Sequence, residues 1–90
     1  MDDVIEFPFF RRTANGRNLY RVEGYGRFTE IQYIGGRSVL HEVRSGSFPE
    51  RVLVIELAAC TEQRYEPITA MEFEHALEEH FGRQERPLVK

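Results

Sequence analysis

Arg51-Val52-Leu53-Val54-Ile55-Glu56-Leu57-Ala58-Ala59-Cys60 is the most apolar run in the chain, and its secondary structure decides the fold. Rich in β-branched residues, it reads as a strand. In that reading Val52 and Val54 project from one side, while Leu53, Ile55 and Leu57 project from the other. A strand apolar on both sides expects cover on both sides.

Four further segments upstream have strand composition: Val4 to Arg12, Arg17 to Glu23, Arg27 to Ile34 and Ser38 to Arg44. Asn15-Gly16 and Gly35-Gly36 are hairpin signals, and Ser45-Gly46-Ser47 with Phe48-Pro49 marks a third break. Segments joined this closely pair as an antiparallel meander. Pro8 has no amide proton, which places the first strand at an edge or in a bulge.

If Asn15-Gly16 closes a hairpin, Arg11 lies opposite Tyr20 and Phe9 opposite Val22. Phe7, Phe9, Tyr20 and Val22 then share one face, and Phe10, Arg12, Leu19 and Arg21 share the other.

Downstream, Thr69 and Glu72 form a capping box, and Ile68 with Phe73 forms a hydrophobic staple. Ala70, Phe73, Ala76, Leu77 and Phe81 follow as one apolar stripe, and Gly82 ends it. The spacing predicts a helix over residues 70–81, expected on the Phe7–Phe9–Tyr20–Val22 face. The expected fold is therefore α+β: an antiparallel meander of four to five strands with one C-terminal amphipathic helix packed on one face.

Ninety residues make a single domain with a thin core, expected over about 4–82, with residues 83–90 as a flexible tail. Because one helix covers one face only, the other calls either for closure of the sheet into a small barrel or sandwich or for a second copy, and of these a homodimer is the favoured expectation. The start Met1-Asp2-Asp3 lacks a basic, then apolar leader, so a cytoplasmic protein is expected.

The net charge of −3 is unevenly spread. Residues 11–51 hold eight Arg against four Glu, whereas residues 52–90 hold four cations against eight Glu. An acidic total with Lys90 as the only lysine argues against generic polyanion binding.

Catalytic and metal signatures are weak. Cys60 is the only cysteine, so it forms no intrachain disulfide, and it reads as a small hydrophobe. Glu30 and His41 face each other if Gly35-Gly36 is a tight turn, a weak acid–base pair candidate without a nucleophile. Glu72, His75 and Glu79 lie near one helix face, a spacing common on Glu-rich helices, and no metal site is assigned. Gly24-Tyr25-Gly26 matches only the Gly-aromatic-Gly centre of an RNA-recognition strand, and reads as a turn or bulge.

From these residues we expect a non-enzymatic adaptor or accessory protein without a cofactor. It binds a protein partner, and itself, through a sheet face. The interface candidates are Phe10, Arg12, Leu19, Arg21, Leu53 and Ile55. The alternative is a single-stranded nucleic-acid-binding module using the same Arg and aromatic groups.

Overall fold

The computed structural model describes residues 4–60 and 63–82, so the expected tail at 83–90 lies outside the described residues. The elements in chain order are β1 (Phe9–Thr13), β2 (Asn18–Gly24), β3 (Arg27–Ile34), β4 (Arg37–Val43), α1 (Phe48–Ala59), β5 (Tyr65–Pro67) and α2 (Ala70–Phe81). The five strands form one antiparallel sheet in the order β4-β3-β2-β1-β5, and the fold is α+β.

The expected registers are present. Phe9 pairs with Val22 and Arg11 with Tyr20. Glu30 pairs with His41 across a two-residue Gly35-Gly36 turn, where Gly35 takes a φ of 60°. Pro8, however, precedes β1 rather than interrupting it, and β1 is an inner strand between β2 and β5. The chain returns after α1 to lay Tyr65–Pro67 along β1, a pairing between distant segments.

The principal correction concerns residues 51–60, which lie in α1 and at its C-cap rather than in a strand. Ser47-Phe48-Pro49-Glu50 repeats the Ser/Thr-x-x-Glu pattern of the second helix. The Ser47 amide donates to Glu50 Oε1 at 2.7 Å, and the Ser47 hydroxyl donates to the same oxygen at 3.1 Å. Pro49 is harmless here, because first-turn amides have no partner within the helix. Cys60 closes α1 with a left-handed φ of 54°, and its amide donates to the Glu56 carbonyl.

Helical spacing sorts the apolar residues of α1. Val54 and Leu57 are fully buried, and Leu53 and Cys60 pack beside them. Their core partners are Tyr20, Val22, Phe28 and Tyr65, so α1 covers the face that carries Phe9, Tyr20 and Val22.

The second correction follows from the first. α2 packs on the opposite face, where Phe73, Ala76 and Leu77 bury Leu19 and Ile31, with Phe10, Tyr33 and Leu40 at the margin. Each sheet face thus has its own helix. The cover expected from a second copy is supplied by residues 48–59 of the same chain.

Two glycines place α1. The Gly46 amide donates to the Gly26 carbonyl at 2.7 Å, and a Cβ on Gly26 would stand 3.0 Å from the Gly46 nitrogen. Gly24-Tyr25-Gly26 is therefore the β2–β3 turn onto which the segment before α1 docks. A register shift between Val22 and Gly24 accompanies it, as the turn-or-bulge reading expects.

The cap of α2 is complete: the Glu72 amide donates to Thr69 Oγ1 at 3.0 Å and the Thr69 amide to Glu72 Oε1 at 2.8 Å. The Thr69 backbone hydrogen bond holds the Glu72 carboxyl below its ordinary pKa of 4.5. Its contribution is present above that value and lost as the pH falls through the lower folded-state pKa. Thr69→Ala is expected to cost about 1 kcal/mol in urea unfolding at neutral pH. Glu72→Gln should make the acid limb of the stability profile shallower, and an unchanged limb would refute the link.

Candidate functional site

The four sheet residues expected at an open face lie instead around α2. Leu19 is buried, and the Phe10 ring packs against Phe73 with centroids 5.9 Å apart. Arg12 is paired with Glu66 of β5. Arg21 places its guanidinium over the Phe73 ring, 5.3 Å from the centroid, and reaches Glu74 Oε2 at 3.1 Å. Its Nε is buried and stands 3.3 Å from Glu23 Oε2 without hydrogen-bond geometry, so that contact is electrostatic only. Of the Arg and aromatic groups that suggested nucleic-acid stacking, Phe10 and Arg21 are thus engaged with α2, and Arg12 with β5.

Glu30 and His41 are opposite in register, yet their side chains take different partners. Glu30 Oε2 accepts from Asn18 Nδ2 at 2.5 Å, and Tyr20 pairs with Glu30 in the register of β2 and β3. His41 Nε2 lies 3.0 Å from Gln32 Oε1. Burial, and then the Glu30 charge, push the Tyr20 pKa well above that of a free phenol, so Tyr20 is a neutral hydroxyl at physiological pH. The arrangement is a polar strip across β2 and β3 rather than an acid–histidine dyad.

Ser38 Oγ and His80 Nδ1 are 3.1 Å apart, and the Tyr33 ring stands edge-on to His80 at 5.0 Å. This contact joins β4 to the end of α2 in an exposed position. Among the described residues, no group of three His, Cys, Asp or Glu side chains is placed to hold a metal ion. Glu72 is engaged at the α2 cap, and His75 Nε2 lies 3.7 Å from Glu79 Oε1. Cys60 is half-buried, its Sγ 3.7 Å from the Tyr65 carbonyl oxygen. No described helix is long and apolar enough to cross a membrane.

The most distinctive exposed surface belongs to α1. Leu53 points into the core region, but Ile55 is 53% exposed and Phe48, seven residues earlier on the same side of the helix, is 78% exposed. Arg51 stands between them and meets a backbone carbonyl, that of Gly46, at 3.4 Å.

Along the flank of this face runs a cleft of about 690 Å³, bounded by Ile55, Ala58 and Ala59 on α1 and by Val4, Ile5, Glu6, Phe9, Arg11 and Tyr25 opposite. Arg11 holds the two sides together. Its Nε donates to the Leu57 carbonyl at 2.9 Å, supplying a cation to the C-terminal turn of α1.

Sequence reading missed Arg11 as a site residue. The available signal was alternation, which puts this cation on the same side of the strand as Phe7 and Phe9. Its partner Leu57 is 46 residues away.

Comparison with known protein families, characterised proteins and solved structures finds no match to this chain.

Proposed function

We propose that this protein is a non-enzymatic accessory module that binds a protein partner through the outward face of α1. The observation that carries the reading is the exposure of Phe48 and Ile55 on a helix whose inner side already buries Val54 and Leu57 completely. A lid helix needs one apolar side, and a second apolar side is what a docking surface supplies.

Charge describes the partner. Among the described residues Arg51 has no carboxylate within 4.0 Å, and it stands between the two exposed apolar groups. The complementary surface is an apolar stripe flanked by carboxylates, since Arg tolerates partial burial at an interface.

The contact then lies on the helix rather than on the sheet. Of the six interface candidates, Ile55 belongs to this surface, whereas Phe10, Leu19 and Arg21 take part in seating α2, Arg12 pairs with Glu66 of β5, and Leu53 packs against the core. Both sheet faces are covered within the chain, so self-association has no special support from the sheet.

The test compares immobilised wild-type protein with Ile55→Asp and with Met71→Asp, a change at an exposed position on the other helix. We expect a protein retained by the wild type and by Met71→Asp, lost with Ile55→Asp, and released by high salt. Identical retention by all three overturns the proposal. A wild-type dimer that Ile55→Asp converts to a monomer in light scattering also overturns it, because the face would then belong to a second copy.

A further inference from the structure

The cleft beside α1 combines largely apolar walls with one cation that, among the described residues, forms no ion pair. Three consecutive or nearby arginines on the sheet make the contrast. Arg12 is paired with Glu66, and Arg21 reaches Glu74 and Glu23. Arg11, half-buried and immediately before Arg12 in sequence, has no carboxylate within 4.0 Å among the described residues.

Its fixed contacts are to neutral groups. Nε donates to the Leu57 carbonyl and Nη1 to the Phe10 carbonyl, both at 2.9 Å. The guanidinium carbon lies 4.7 Å from the centre of the Phe9 ring. These contacts hold the side chain in one orientation and use two of its five N–H groups, so the remaining donors are available to an acceptor without reordering a long side chain.

The surroundings select the acceptor. Ile5, Phe9, Tyr25, Ile55 and Ala58 offer an apolar or aromatic lining. Glu6 lies at the same cleft and disfavours a second negative charge. A pocket with more apolar than polar lining and a small number of placed polar groups, here Arg11 and Glu6, is the usual form of a small-ligand site, and 690 Å³ is within the usual size range.

We propose that this cleft binds a small monocarboxylate with an aliphatic or aromatic body. The carboxylate sits on the free donors of Arg11, and the body lies against Phe9, Tyr25 and Ile55. The site does not depend on the docking partner, and the test uses the full chain alone.

The probe is 4-phenylbutyrate, with its uncharged amide as control, titrated against the 15N-labelled protein. Saturable shifts should cluster on Arg11, Tyr25, Ile55 and Ala58, and the amide should bind at least about tenfold more weakly. Arg11→Gln should remove the preference for the carboxylate. Because Arg11 also ties β1 to α1, a second variant, Ile55→Asp, guards against misfolding: it places a repelling carboxylate at an exposed position and should abolish binding. Equal binding of acid and amide to the wild type overturns the proposal, as do shifts scattered over the surface or no saturable shift at millimolar probe.

Discussion

Phe73→Ala is expected to lower the free energy of unfolding by about 3–5 kcal/mol, the range for removing a fully buried aromatic side chain. Phe73 has no exposed surface and is the central group of the α2 side, with Leu19 and Ile31 beneath it and the Phe10 ring 5.9 Å away. Alanine leaves a cavity between two elements whose backbones are held elsewhere, so collapse fills it only in part. The same change takes the ring from under the Arg21 guanidinium, leaving that half-buried cation with only its polar contacts to Glu74, Glu23 and Thr29.

Against a total stability of about 5–15 kcal/mol for a domain, this is a large fraction. Urea unfolding followed by circular dichroism measures it directly, and the melting temperature should fall by at least about 12 °C. A loss under about 1 kcal/mol would mean that α2 is not seated on the sheet as described.

The second large effect distinguishes a helix from a strand at residues 48–59. Leu57→Ala should cost about 2–5 kcal/mol, because Leu57 is completely buried against the Tyr20 and Phe28 cluster. Ile55→Ala should stay within about 0.5 kcal/mol, since Ile55 is half exposed and alanine is the better helix former.

In a two-faced strand residues 55 and 57 share a side and should respond alike. In α1 they lie on opposite sides of the helix. Equal losses from the two substitutions would therefore contradict α1, and unequal losses of the stated size agree with it.

The misreading of this segment has a specific cause. Val52, Val54 and Ile55 carry strand propensity, but such preferences amount to about 1 kcal/mol or less each and yield to context. The deciding local signal was Ser47-Phe48-Pro49-Glu50, a capping box that Pro49 made look like a loop. Its counterpart Thr69–Glu72 was legible because no proline obscured it and a clean amphipathic stripe follows. Once 48–59 is a helix, the two-sided apolar pattern no longer asks for a second copy over the sheet. Its outer half becomes a surface feature of α1.

Site residues divide along the same line. The pairing of Glu30 with His41 was readable from a two-residue turn, because antiparallel register is arithmetic once the turn is known. Whether their side chains met was not readable, since Asn18 takes the carboxylate and Gln32 the imidazole. Arg11 illustrates the harder case. Its role depends on where α1 ends relative to β1, a relation between residues 46 apart.

Taken alone, the sequence determined what short-range chemistry controls: the antiparallel registers, the turns at Gly35-Gly36 and Gly24-Tyr25-Gly26, and the capped helix at 70–81. Each rests on a few adjacent residues whose backbone preferences or hydrogen bonds are satisfied locally. Tertiary structure alone decided which helix covers which face, that β1 is an inner strand, and that Arg11 meets the end of α1 beside an apolar cleft. Those outcomes depend on sums of many weak contacts between distant segments, and no single stretch of the chain encodes such a sum.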